Sequence, residues 1–263
     1  MMNKYMNNHP YHIVSNSPWP IIFSINLMNF IISNLLMMNM KNNKFLLIMM
    51  MLLIIIMMNW WKNLMLESLM QGFRTIKCKI MMKFSMILFI LSEIMFFMSM
   101  FWCYMHMYLS PSIEIGSIWP PKNIEMFNPF LIPLINSIIL ITSGMTLTYS
   151  HYLMINNKFI KSIIYMYMTI ILGMMFTTIQ IYEYKMSFFN ISDSIYGSIF
   201  FMLTGFHGLH VIIGTIFLIT SLKNMYNKFS KMNNLSFELS SWYWHFVDFI
   251  WLMVYTLVYW WPY

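Results

Sequence analysis

The sequence contains no alanine, a single arginine (Arg74) and only eight acidic residues. Charged residues make up 9% of the chain, against about 25% in a soluble domain. That shortage excludes an ordinary water-facing surface and reads as a polytopic membrane protein, with most of its length in lipid. There are two cysteines. Cys78 lies in a basic connection and Cys103 in an apolar run, so they are poor disulfide candidates, and no Cys/His metal-ligand spacing is present. Small residues let membrane helices approach closely. Without alanine, glycine, serine and threonine must do this alone. The abundant residues, among them 34 methionines, have A/T-rich codons, which points to an A+T-biased genome such as an organellar one. The N-terminal stretch MMNKYMNNHPYHIV has neither an apolar core with a cleavage site nor the arginines of a transit peptide.

Seven apolar runs are long enough to span a bilayer: 20–40, 45–61, 84–108, 129–152, 160–182, 195–222 and 239–261. Each is close to the roughly 20 residues a crossing helix needs. Helix is the expected form, because in lipid the backbone must satisfy its own hydrogen bonds. The chain therefore reads as one all-α membrane domain over 1–263, with helices 1 and 2 within 1–61, an inner-side connection over 62–83 and helices 3 to 7 within 84–263. Seven spans put the termini on opposite sides. The formal charge is +7, and the basic residues divide unevenly. Lys4, Lys62, Arg74, Lys77, Lys79, Lys83, Lys158, Lys161, Lys223, Lys228 and Lys231 fall on the N-terminal side; Lys41, Lys44, Lys122 and Lys185 fall on the other. The positive-inside rule then places the N-terminus inside and the C-terminus outside. The positive charge reads as membrane orientation rather than nucleic-acid binding.

Ionisable residues within spans are functional candidates. Glu93, in FILSEIMFF, lies roughly 14 Å into the third span at 1.5 Å per residue. It reads either as a proton-linked or regulatory carboxyl or as a helix-to-helix hydrogen-bonding group. His207 and His210, in TGFHGLHVIIG, share one helix face, and so do His245 and Asp248 in the aromatic last span. Pairing of these two sets across helices six and seven is favoured over an intramembrane metal site. Gly205, Gly208 and Gly214 are expected to let the neighbouring helix close up.

Seven stretches, HPYHIVSNSPWP (9–20), WWKNLMLESLMQGFRT (60–75), ILFILSEIMFFMSMFWCYMH (87–106), SGMTLTYSHY (143–152), LGMMFTTIQIYEY (172–184), ISDSIYGSIFFMLTGFHGLHVIIGT (191–215) and FELSSWYWHFVDFIWLMVYTLVYWW (237–261), together resemble one family closely. It is the cytochrome c oxidase subunit 3 family, a mitochondrially encoded core subunit of respiratory complex IV. The resemblance implies a two-helix arm and a five-helix bundle with a lipid-filled cleft between them. It implies the mitochondrial inner membrane, with the N-terminus in the matrix and the C-terminus in the intermembrane space. It implies no haem or copper in this chain, because redox chemistry belongs to partner subunits 1 and 2. Direct packing on subunit 1, protection of it during turnover and support of proton uptake are the implied roles, beside small nuclear-encoded subunits and bound phospholipid.

On this resemblance Glu93 matches the family's buried glutamate, and Glu67 an acidic position near the lipid cleft. Arg74 and Lys223 are the further lipid-binding candidates. The chain departs from the family at Leu66, where an arginine is usual, and at Phe73 and Arg74, where a histidine pair is usual. It departs again over Asn233, Asn234, Leu235 and Ser236, and at the closing Pro262 and Tyr263. The rival readings are a proton-coupled transporter using Glu93, which should show broken helices around a midplane site, and a metalloenzyme using the histidines and Asp248.

Overall fold

The computed structural model describes residues 16–41, 43–70, 75–113, 116–122, 124–226 and 235–263, without side-chain detail at 68–70. Among the described residues there are seven α-helices: α1 Trp19–Met40, α2 Lys44–Met70, α3 Ile76–Leu109, α4 Ile132–Ile155, α5 Phe159–Lys185, α6 Ile195–Tyr226 and α7 Leu235–Val254. A π-helical turn, Tyr255–Trp260, continues α7. Among the described residues, α1 to α6 each hold a segment long and apolar enough to cross a membrane. The last helix is set apart by composition. It carries Glu238, His245 and Asp248, and it turns many of its tryptophans and tyrosines into the protein. The all-helical, polytopic architecture expected from the apolar runs is what the chain adopts.

The connection expected over 62–83 is mostly helical. The second helix runs on to Met70 and the third starts at Ile76. Lysines here do not end the helices, because lysine is a good helix former and its long stem keeps the charge clear of the apolar segment. The third helix is therefore 34 residues long, about 51 Å at 1.5 Å per residue, and outruns the hydrocarbon core.

The chain divides into two compact units, Met1–Met82 and Lys83–Tyr263. In the first, α1 and α2 pack as an antiparallel pair. Lys41, just past the end of α1, sits in the left-handed region (φ 53°), and its N–H closes the end of α1 on the Met37 carbonyl at 2.8 Å. Phe23 meets Trp60 with ring centroids 5.8 Å apart. Ser33 and Ile56 are buried, whereas most of the apolar side chains face outward, as lipid-facing side chains must.

The second unit holds the rest of α3 and α4 to the end of the chain. Its centre is aromatic: Trp244, Trp251, Tyr104, Tyr196, Phe97, Phe176 and Phe200 are all buried. Trp244 shows how such large rings fit between helices. A Cβ on Gly173 of α5 would lie 2.6 Å from its indole, and one on Gly214 of α6 would lie 2.9 Å away. On a third side, Trp244 Nε1 donates to Ser143 Oγ of α4 at 2.9 Å. Two glycines and a serine thus admit one tryptophan from α7, doing the work that alanine often shares elsewhere. Of the three glycines expected to bring α6 and α7 together, only Gly214 does so. Gly205 faces open space, and Gly208 faces Gln180 of α5, whose Oε1 would lie 3.2 Å from an added Cβ.

Candidate functional site: polar groups inside the helical bundle

The third and sixth helices meet at Glu93 and His210. His210 Nε2 lies 3.0 Å from Glu93 Oε2, and its Nδ1 lies 2.7 Å from the Phe206 carbonyl one turn earlier. A carbonyl only accepts, so Nδ1 carries a hydrogen and donates. Nε2 and Oε2 are then left with one proton between them: either imidazolium beside carboxylate, or imidazole beside carboxylic acid. The pair is a place where one proton can be held between two helices. Phe97 stands against the imidazole, with centroids 5.1 Å apart, and Tyr243 and Phe246 of α7 close the aromatic surround. The glutamate is half-buried, with 24% of its side chain exposed, so it is less enclosed than its depth in the span suggests.

His207, one turn earlier on α6, points elsewhere. It is fully buried, and its Nε2 lies 3.2 Å from the Val247 carbonyl of α7. His245 and Asp248 stay with each other on α7, with Nδ1 and Oδ2 3.8 Å apart. Asp248 Oδ2 also lies against α4, 2.7 Å from where a Cβ on Gly144 would be.

The expected pairing of His207 or His210 with His245 or Asp248 is thus replaced. One histidine takes a backbone carbonyl on α7, and the other takes a carboxylate on α3. The reason is geometric. Residues three apart on a helix diverge by about 60°, and in this bundle that is enough for His207 and His210 to face different neighbours. Among the described residues, no three His, Cys, Asp or Glu side chains come together as a metal site would require. Both α3 and α6 run unbroken through the Glu93–His210 contact, unlike the broken helices expected of a transporter.

Lys83 forms an ion pair with Glu238 between α3 and the first turn of α7. Of the lipid-binding candidates, Lys223 is exposed in the last turn of α6 and Glu67 is half-buried near the end of α2. Arg74 lies outside the described residues.

A second polar tie is one the sequence reading missed. Glu183, one residue beyond the expected fifth span, is fully buried in α5, and Tyr259 Oη donates to its Oε1 at 2.7 Å. Tyr259 is buried in the π-helical turn that follows α7. The signal was present in the sequence. Gly173, Phe176, Gln180 and Glu183 recur at spacings of three and four, and all four are buried. Gln180 Nε2 donates to the Thr204 carbonyl at 2.9 Å, and Tyr184 Oη to Thr204 Oγ1 at 2.8 Å, which ties α5 to α6.

Long apolar helices, with a carboxyl–imidazole contact between two of them, define a polytopic helical membrane protein. The family model for cytochrome c oxidase subunit III matches residues 9–263. The chain is 43% identical over 256 residues to cytochrome c oxidase subunit 3 of Drosophila melanogaster, covering 97% of this chain and 98% of that protein. It is 46% identical over 254 residues to the Rhipicephalus sanguineus protein of the same name, covering 96% and 99%. With that of the alga Chondrus crispus it shares 42% over 263 residues, covering 99% and 97%. The chain belongs to the cytochrome c oxidase subunit III family. It is therefore a multi-pass membrane subunit of a terminal oxidase, and its family places it in mitochondria.

Proposed function

We propose that this chain is a non-redox subunit that stabilises the catalytic subunit of the oxidase and supports its proton uptake through the Glu93–His210 pair. The observation that carries this reading is the 3.0 Å contact between His210 Nε2 and Glu93 Oε2, inside two spans and at a partly open position. A group that can hold or release a proton there can influence a neighbouring uptake path. Haem and copper are assigned to partner subunits, with subunit 1 as the direct neighbour, subunit 2 beside it and small nuclear-encoded subunits around them. The excess of lysine on the N-terminal side supports a matrix N-terminus and an intermembrane-space C-terminus. That basic rim attracts anionic phospholipid headgroups, at about 1 kcal/mol per Lys or Arg near the surface. Glu67, Arg74 and Lys223 are the residues proposed to frame the bound lipid.

Glu93→Gln tests the role of the pair. The amide keeps the shape of the side chain but cannot exchange a proton with His210. Oxygen consumption and proton release are followed over many turnovers in the assembled variant oxidase. The reading expects normal assembly with slower proton uptake or earlier loss of activity. Normal values for both would leave Glu93 as a structural tie only.

A further inference from the structure

Asn136, His207 and Trp251 are each 0% exposed within this single chain. Four of their polar atoms have no hydrogen-bond partner: Asn136 Oδ1 and Nδ2, His207 Nδ1 and Trp251 Nε1. Unpartnered polar atoms at such depth are rare, and each calls for an explanation.

Helical register puts the three residues at one level of the bundle. The fourth and seventh helices run antiparallel, tied by Trp244 Nε1 to Ser143 Oγ at 2.9 Å and by Tyr255 Oη to the Pro129 carbonyl at 3.4 Å. Asn136 is two helical turns before Ser143, and Trp251 is two turns beyond Trp244. Two turns return a helix to nearly the same face, with a drift of about 20°. The Ser143–Trp244 contact therefore repeats as an Asn136–Trp251 level. His207 joins it from α6, with its ring centroid 5.0 Å from that of Trp251. Phe176 of α5 forms the apolar wall, 4.8 Å from Trp251 and 5.5 Å from His207.

The hydrogen-bonding roles are complementary. His207 Nε2 faces the Val247 carbonyl, so it carries the hydrogen and Nδ1 is left as an acceptor. Trp251 Nε1 can only donate. The asparagine amide offers one donor group and one acceptor. Two donor groups and two acceptors, buried and unpartnered at one level, match a water molecule, which accepts two hydrogen bonds and donates two. A buried water typically makes about three.

We propose that this layer of α4, α6 and α7 is an internal binding site for ordered water, held by Asn136, His207 and Trp251 and enclosed by Phe176. The site is distinct from the Glu93–His210 pair, which sits on the other histidine and faces α3. Nothing outside this chain is needed to complete it.

X-ray radiolytic labelling in 18O-enriched water tests this in the intact oxidase complex, since bound water delivers hydroxyl radicals to side chains that bulk solvent cannot reach. The expected result is 18O on Trp251 of the native complex in spite of its full burial. In Asn136→Leu, which keeps the volume and removes both amide atoms, the Trp251 label should fall to background while labelling elsewhere in the chain is unchanged. An unlabelled Trp251 in the native complex overturns the proposal, whether or not the variant assembles. A Trp251 label that persists in Asn136→Leu overturns it as well, because Asn136 would then not hold the water.

Discussion

At the scale of single residues, two carboxyl contacts tie helices of the bundle, one half-buried at Glu93 and one fully buried at Glu183, and only the first stood out in the sequence. Glu93 stood out as a charge in an apolar run. Glu183 did not, because the apolar run read as ending at 182 and a charge beyond it reads as a loop residue. Partners were harder to read than sites. Helical spacing says which residues share a face, but not which helix that face meets. His210 was matched to the nearest candidate in sequence, on α7, when its partner was on α3. Tyr259→Phe isolates the Glu183 contact. It removes the bond to Oε1 and leaves a buried acceptor unsatisfied, which costs about 1–3 kcal/mol. The thermal inactivation midpoint of the assembled oxidase should fall. Glu183→Gln, which keeps an acceptor for Tyr259, should lower it less. An unchanged midpoint in Tyr259→Phe would show that the 2.7 Å contact contributes nothing.

At the scale of elements, the existence of the helices was legible because each apolar run is long and the bilayer permits little else. Their ends were not. The second and third helices continue through lysine-rich sequence that composition alone assigns to a connection. The packing role of the glycines was also only partly legible, since a small residue permits close approach without showing that a neighbour takes it up. Two substitutions separate the cases. Gly173→Ala would place a Cβ 2.6 Å from Trp244, wedged between α5 and α7. Overpacking of this kind costs roughly 1–3 kcal/mol, so complex yield or heat stability should fall. Gly205→Ala meets nothing within 4 Å and removes a flexible residue from the middle of a helix, worth up to about 1 kcal/mol. It should be neutral or mildly stabilising in the same assay. If the two variants behave alike, the assigned packing around Trp244 is wrong.

At the scale of the whole molecule, the polytopic helices and the family membership describe a multi-pass membrane subunit of a terminal oxidase. The division at Met82 and Lys83 falls at the end of the expected inner-side connection. Lys83, the first residue of the second unit, is held to α7 by Glu238. The most direct test of the account is to strip this chain from the purified oxidase and measure haem and copper per catalytic subunit together with activity over repeated turnovers. The account predicts unchanged haem and copper, with slower proton uptake and an activity that decays sooner. Loss of haem or copper in proportion to the chain removed would contradict it.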